Sequence, residues 1–174
     1  NLIGGLDTPS KGVIYNYGIK ISELDQEELS SFRLINSGFI FQSYNLIETL
    51  TAAENILILL RAAGTELREA RKRMLKLLER VDLVERKEHF PYELSSGEQQ
   101  RITIARALAN DPPVLLVDEP TANLDEKTGK FIRDFFIELG KEKKTIIIAT
   151  HDEELIKNSE RVITFSKGKV VNIE

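Results

Sequence analysis

Two short apolar runs stand out along the chain: Val114-Leu115-Leu116-Val117, and Thr145-Ile146-Ile147-Ile148-Ala149. Each is too short for a buried helix and rich in β-branched or leucine side chains, which predicts strands covered on both faces. Between them, Glu126 to Leu139 sets Phe131, Phe135 and Leu139 on one helical stripe with Ile132 and Phe136 beside it. A strand, a helix and a second strand in that order predict a βαβ crossover in a parallel sheet, so the fold class is α/β. Residues 50–109 have helical spacing instead. Thr51 and Glu54 form a capping-box pattern for a helix reaching Ala63 before Gly64. Leu67, Ala70, Met74, Leu77, Leu78 and Val81 define the apolar stripe of a second helix. Its basic residues Arg68, Arg71, Lys72, Arg73 and Lys76 read as a solvated face balanced by Glu66, Glu69 and Glu79. A third helix follows Ser95 and buries Ile102, Ala105, Leu108 and Ala109.

Residues 12–42 combine short β-type runs, Val13-Ile14-Tyr15 and Gly38-Phe39-Ile40-Phe41, with a polar helix near Gln26–Ile35. Val162 to Phe165 and Lys169 to Val171 flank Gly168 as a closing hairpin. The opening residues, Asn1 to Leu6, resemble a helix end closing on glycines.

The 174 residues suit one domain with a real core. No apolar run approaches the length of a membrane span, and no secretory leader pattern opens the chain. Without cysteine there is no disulfide, thiolate metal site or cysteine nucleophile. A net charge of −4 argues against a surface given over to polyanions, while leaving room for a local phosphate pocket.

Ligands of open parallel sheets bind beyond the carboxyl ends of the strands. Asp118 and Glu119 end one apolar run and His151 follows the other, so chemistry is expected there. Pro120 stops the first strand and is expected to hold Glu119 extended. Leu94-Ser95-Ser96-Gly97-Glu98-Gln99 feeds a helix start. Ser95 with Glu98 is a capping box, and the same turn offers N–H groups and a hydroxyl to an anion.

In this order the motifs resemble the ATP-binding subunits of ABC transporters over essentially the whole length. Phe41-Gln42 is similar to the Q-loop and Leu94 to Gln99 to the signature motif. Val114 to Pro120 is similar to Walker B with the catalytic glutamate, Thr121 to Asp125 to the D-loop, and His151 to the switch histidine. The segment from Phe41 to Asn55 is most similar to the lipoprotein-release and macrolide-export group. The resemblance implies a P-loop NTPase-like parallel sheet core with a helical subdomain inserted at about 43–95, within a single domain spanning 1–174. It implies ATP and Mg²⁺ as ligands, with Asp118 and Gln42 toward the metal and Glu119 and His151 as catalytic residues. Gln42, Ser95, Ser96, Gly97, Glu98, Gln99 and Asp125 would meet nucleotide. The implied partners are a membrane permease and a second ATP-binding subunit in a homodimer or heterodimer, with no nucleic acid. The expected place is cytoplasmic, on the inner face of the cell membrane. The alternatives are a non-catalytic subunit lending its signature motif to a partner, and a non-transport ABC ATPase in cell division.

Two departures from the family pattern are legible. No Gly-x-x-x-x-Gly-Lys-[Ser/Thr] occurs in the 174 residues. The chain is therefore expected to be truncated at its N-terminus, with the phosphate loop upstream of Asn1. Ser96 stands where the signature usually has its first glycine; a positive φ there would cost about 1 kcal/mol.

Overall fold

A computed structural model describes residues 1–174. In chain order the elements are β1 (Tyr15–Asn16), β2 (Ile19–Lys20), α1 (Gln26–Asn36), β3 (Ser37–Ile40), α2 (Ala52–Ala62), α3 (Leu67–Arg80) and α4 (Ser96–Ala107). These are followed by β4 (Val114–Asp118), α5 (Glu126–Gly140), β5 (Thr145–Ala149), α6 (Glu153–Lys157), β6 (Ile163–Ser166) and β7 (Lys169–Ile173). The central sheet is parallel in the order β3-β4-β5, with Ile40 level with Val117 and Asp118 level with Ala149. Helices α2, α3 and α4 fill the β3-to-β4 connection and α5 the β4-to-β5 connection, the predicted βαβ arrangement.

One core of 25 buried residues joins the α2–α3–α4 layer to the sheet and α5. Ile56 and Leu60 of α2, Leu78 of α3, Ile102 and Ala105 of α4, and Leu115 of β4 all lie within it, fully removed from water. The capping residues read from the sequence make their bonds. Thr51 accepts from the Glu54 N–H at 3.2 Å while Glu54 accepts from the Thr51 N–H at 2.8 Å. Glu66 caps α3 itself, and the Arg80 guanidinium at its far end bridges to Glu142 beyond α5. Arg68, Arg71, Lys72 and Lys76 are exposed, as a solvated face requires. At the start of the chain Leu6 N–H donates to Asn1 and Gly5 N–H to Leu2, with Gly5 at φ +65°, the bonding pattern of a helix end closing on glycine.

Two strand expectations change. The β5 run is not covered on both faces: its side chains alternate between exposed and half-buried, and Ile147 is 39% exposed. It is the edge strand, so only the Ile146–Ile148 face packs on the core. The Val13 run contributes only Tyr15 and Asn16 to a two-residue ladder with Ile19 and Lys20, because the chain reverses at Tyr17 and Gly18. The β6–β7 hairpin forms as expected, as a separate antiparallel pair. No helix is long and apolar enough to cross a membrane.

Candidate functional site

Parallel register brings three strand ends to one edge. Phe41-Gln42 leaves β3, Asp118-Glu119 ends β4, and Thr150-His151 follows β5. The backbone N–H of Glu119 donates to Ala149 O at 2.9 Å, carrying the ladder one residue past Asp118. Glu119 is not extended, as its place before Pro120 suggested: its φ is +45°. A left-handed conformation costs a residue with a side chain about 1–2 kcal/mol. It is held here by the ladder bond and by contacts across to the β5 side. Glu119 Oε1 lies 2.9 Å from His151 Nδ1, and Oε2 accepts from the Thr150 hydroxyl at 3.3 Å. Strain fixed in this way at a functional group is a common device for presetting its position.

A carboxylate can only accept, so the Glu119 contact fixes the hydrogen on His151 Nδ1 and leaves Nε2 for a ligand. The imidazole is 85% exposed while Glu119 is 23% exposed. The histidine therefore faces solvent and the carboxylate sits behind it. Asp118 is exposed and accepts no hydrogen bond from the chain; Gln42 is likewise exposed with an unengaged amide. Strand-end carboxylates often satisfy nearby N–H groups, and this one does not. Free carboxylate and amide oxygens suit a hard divalent cation such as Mg²⁺, which takes few protein ligands and completes its shell with water and phosphate oxygens.

The Ser95–Gln99 turn forms a second cluster. Ser95 caps α4: its hydroxyl accepts from the Glu98 N–H at 3.3 Å and donates to Glu98 Oε2 at 2.9 Å, and its N–H donates to the same oxygen. Burial opposes ionisation of Glu98, but the Ser95 N–H and hydroxyl and the Arg86 guanidinium outweigh it and hold its carboxyl below the usual range. The amide of Gln99 donates to Pro91 O and Leu94 O, so this side chain braces the turn from behind. Ser96 is the first helical residue and has no positive φ, so serine is unstrained there. Gly97 is buried against α5: a Cβ on it would sit 2.6 Å from Thr128 Cγ2. Thr128 in turn donates its hydroxyl to Asp125 at 2.6 Å, which holds that carboxyl below its ordinary value. Ser95, Ser96, Gly97 and Asp125 thus gather near the start of α5. No hydrogen bond links this turn to Gln42, Asp118, Glu119 or His151.

A third set of residues is brought together only by the tertiary structure. Asp152 caps α6 and accepts from the Thr121 hydroxyl at 2.9 Å and from Arg133 at 3.2 Å. It ties the loop after Glu119 to the residue after His151. Burial disfavours the charged form of Asp152, yet Thr121, the Leu155 N–H and Arg133 together lower its pKa. Its carboxyl therefore titrates lower in the folded state than at the ordinary unfolded value near 3.9. The stabilisation is complete above about pH 5 and is lost as pH falls through 4 toward the folded value. Asp152→Asn is expected to cost about 1–2 kcal/mol at pH 7, with the gap to the parent narrowing toward pH 3. Urea unfolding at both pH values checks this; a gap independent of pH would refute it.

Comparison with known proteins agrees with this geometry. The family model described as ABC transporter matches residues 1–122. An uncharacterized ABC transporter ATP-binding protein of Methanocaldococcus jannaschii, MJ1508, is 43% identical over 173 residues, covering 99% of this chain and 77% of that protein. The lipoprotein-releasing system ATP-binding protein LolD of Pseudomonas fluorescens is 43% identical over 174 residues, with 99% of this chain and 77% of LolD covered. The dimeric post-hydrolysis structure of the ATP-binding cassette MJ0796 bound to ADP and Pi superposes with a TM-score of 0.93 at 41% identity, covering 100% of this chain and 77% of that one. On the family model, on relatives 43% identical over nearly its whole length and on the shared fold, this chain belongs to the ABC transporter family, as one of its ATP-binding, ATP-hydrolysing domains.

Proposed function

We propose that the chain hydrolyses ATP within an ABC system of the lipoprotein-release or export type, coupled to a membrane permease on the inner face of the cell membrane. The observation that carries this reading is the Glu119–His151 pair at 2.9 Å beside an unengaged Asp118. Glu119 is the general base, accepting a proton from the attacking water. His151 holds Glu119 through Nδ1 and presents Nε2 to the γ-phosphate; it donates there when both ring nitrogens carry hydrogen. Asp118 and Gln42 hold Mg²⁺, directly or through water. Held by these two side chains, a divalent cation would supply charge neutralisation to the nucleotide's phosphates. Phosphoryl transfer leaves little covalent work to protein groups, so fixed position and complementary charge account for the rate.

Ser95, Ser96 and Gly97 serve a nucleotide held by a second subunit, and Asp125 lies beside them at that interface. The support is the absence of any hydrogen bond between this turn and the strand-end residues Gln42, Asp118, Glu119 and His151, together with the dimer seen for MJ0796. Glu98 and Gln99 act behind the turn, as its brace. Residues 43–95 form the helical subdomain that meets the permease.

ATP binding tests the reading. The 174-residue chain is expected to hold Mg-ATP weakly, and the same chain extended at its N-terminus by a Gly-rich loop with its Lys to hold it tightly. Two charge-assisted hydrogen bonds at about 1.5–3 kcal/mol each correspond to a gain of about 10²–10⁴-fold in affinity. Isothermal titration of both chains measures it. Failure of the extended chain to bind nucleotide would overturn the proposal.

A further inference from the structure

The loop between β3 and α2 is held at two places, and one of them is a half-buried cation without a carboxylate. Tyr44 and Asn45 are consecutive residues with left-handed backbone, φ +61° and +50°. Their carbonyls turn toward α4. Arg106 Nη1 donates to Asn45 O at 2.7 Å and Nη2 to Tyr44 O at 2.9 Å. The hydroxyl of Thr103, one turn earlier on the same helix, lies 3.0 Å from Gln99 O and 3.3 Å from Tyr44 O, its one hydrogen shared between them. Arg106 forms no ion pair, and burial lowers its pKa. A half-buried guanidinium whose donors are taken by two loop carbonyls, with no carboxylate to balance it, ties this loop specifically to α4. Further along, Asn55 of α2 accepts from the Ile47 N–H and donates to the carbonyls of Ile47, Leu50 and Thr51, fixing the far end independently.

We infer that Arg106 is a positioning residue: it locks the loop carrying Gln42 to helix α4, so that the Ser95–Gly97 turn and Gln42 move as one body. The inference rests on the proposed roles of those residues. From Ser96 to Arg106, α4 is a strut of about 15 Å. Its first turn is braced by Ser95, Glu98 and Gln99 and its last turn grips the loop two residues beyond Gln42. Engagement of a partner subunit's nucleotide at the turn is thereby felt at the group facing the chain's own metal and γ-phosphate.

Hydrogen–deuterium exchange tests this in two stages. Without nucleotide, Arg106→Ala is expected to speed exchange in residues 42–46 about tenfold or more, with the β3–β4–β5 amides within twofold of the parent. Arg106→Lys, which keeps the charge but offers one compact donor group, should fall between. Unchanged exchange at 42–46, or a rise shared by the whole sheet, would overturn the inference. In the chain carrying the phosphate loop, Mg-ATP should slow exchange at 95–99 and 42–46 together, and in Arg106→Ala the slowing at 42–46 should shrink severalfold, to what Gln42's own contact with Mg-ATP supplies, while that at 95–99 stays. Slowing at 42–46 as large in Arg106→Ala as in the parent would also overturn it. A protein that binds no Mg-ATP defeats the proposed function, and the comparison made without nucleotide still decides Arg106.

Discussion

In the chain carrying a phosphate loop, Glu119→Gln is expected to lower kcat for ATP hydrolysis by about 10²–10⁴-fold, the range for loss of a general base. Nucleotide affinity should stay within a few-fold of the parent. The side-chain amide has the shape of the carboxylate: its oxygen can still accept from His151 Nδ1 while its NH2 donates to the Thr150 hydroxyl oxygen, so both contacts that Glu119 makes through its two oxygens can persist. The left-handed backbone at this position is no worse for glutamine than for glutamate. Only basicity is removed. Single-turnover kinetics with equilibrium binding separate the two effects. A kcat within tenfold of the parent would assign the base elsewhere; an equal loss of affinity would mean that Glu119 holds nucleotide.

The largest stability effect is expected from Leu115→Ala in β4. Leu115 is fully buried between β3 and β5, and truncation to alanine at such a position costs about 2–5 kcal/mol through lost transfer energy and the cavity left behind. For a chain of this size that lowers the melting temperature by about 4–20 °C. Ile147→Ala in β5 should cost under about 1 kcal/mol, because a third of that side chain already meets water. Chemical denaturation of the two variants side by side gives the comparison. Equal losses would mean that β5 is as enclosed as β4.

That contrast marks where the amino-acid pattern stopped being informative. Val114–Val117 and Thr145–Ala149 look alike as apolar runs, yet one is central and the other an edge, since strand order is set by crossovers rather than by either run. Glu119 shows the same limit on a single residue. The rule for positions before proline favoured extended backbone, and the bond to Ala149 O together with the pull of His151 and Thr150 placed it in the left-handed region instead. Asp152, Arg133, Thr103 and Arg106 left no mark in the sequence because each acts on a partner 19 to 62 residues away.

What the sequence determined alone is what short-range physics controls. Capping boxes, the helical stripes of α2 to α5, the apolar strands and the chemical types standing at their ends follow from spacing within one or two turns. Tertiary structure decided how those ends meet. Parallel register set Asp118 level with Ala149 and so put Glu119 within reach of His151, and the packing of α4 on α5 set Gly97 against Thr128. Contacts across dozens of residues depend on the summed packing of the whole core, which no local window of the chain contains.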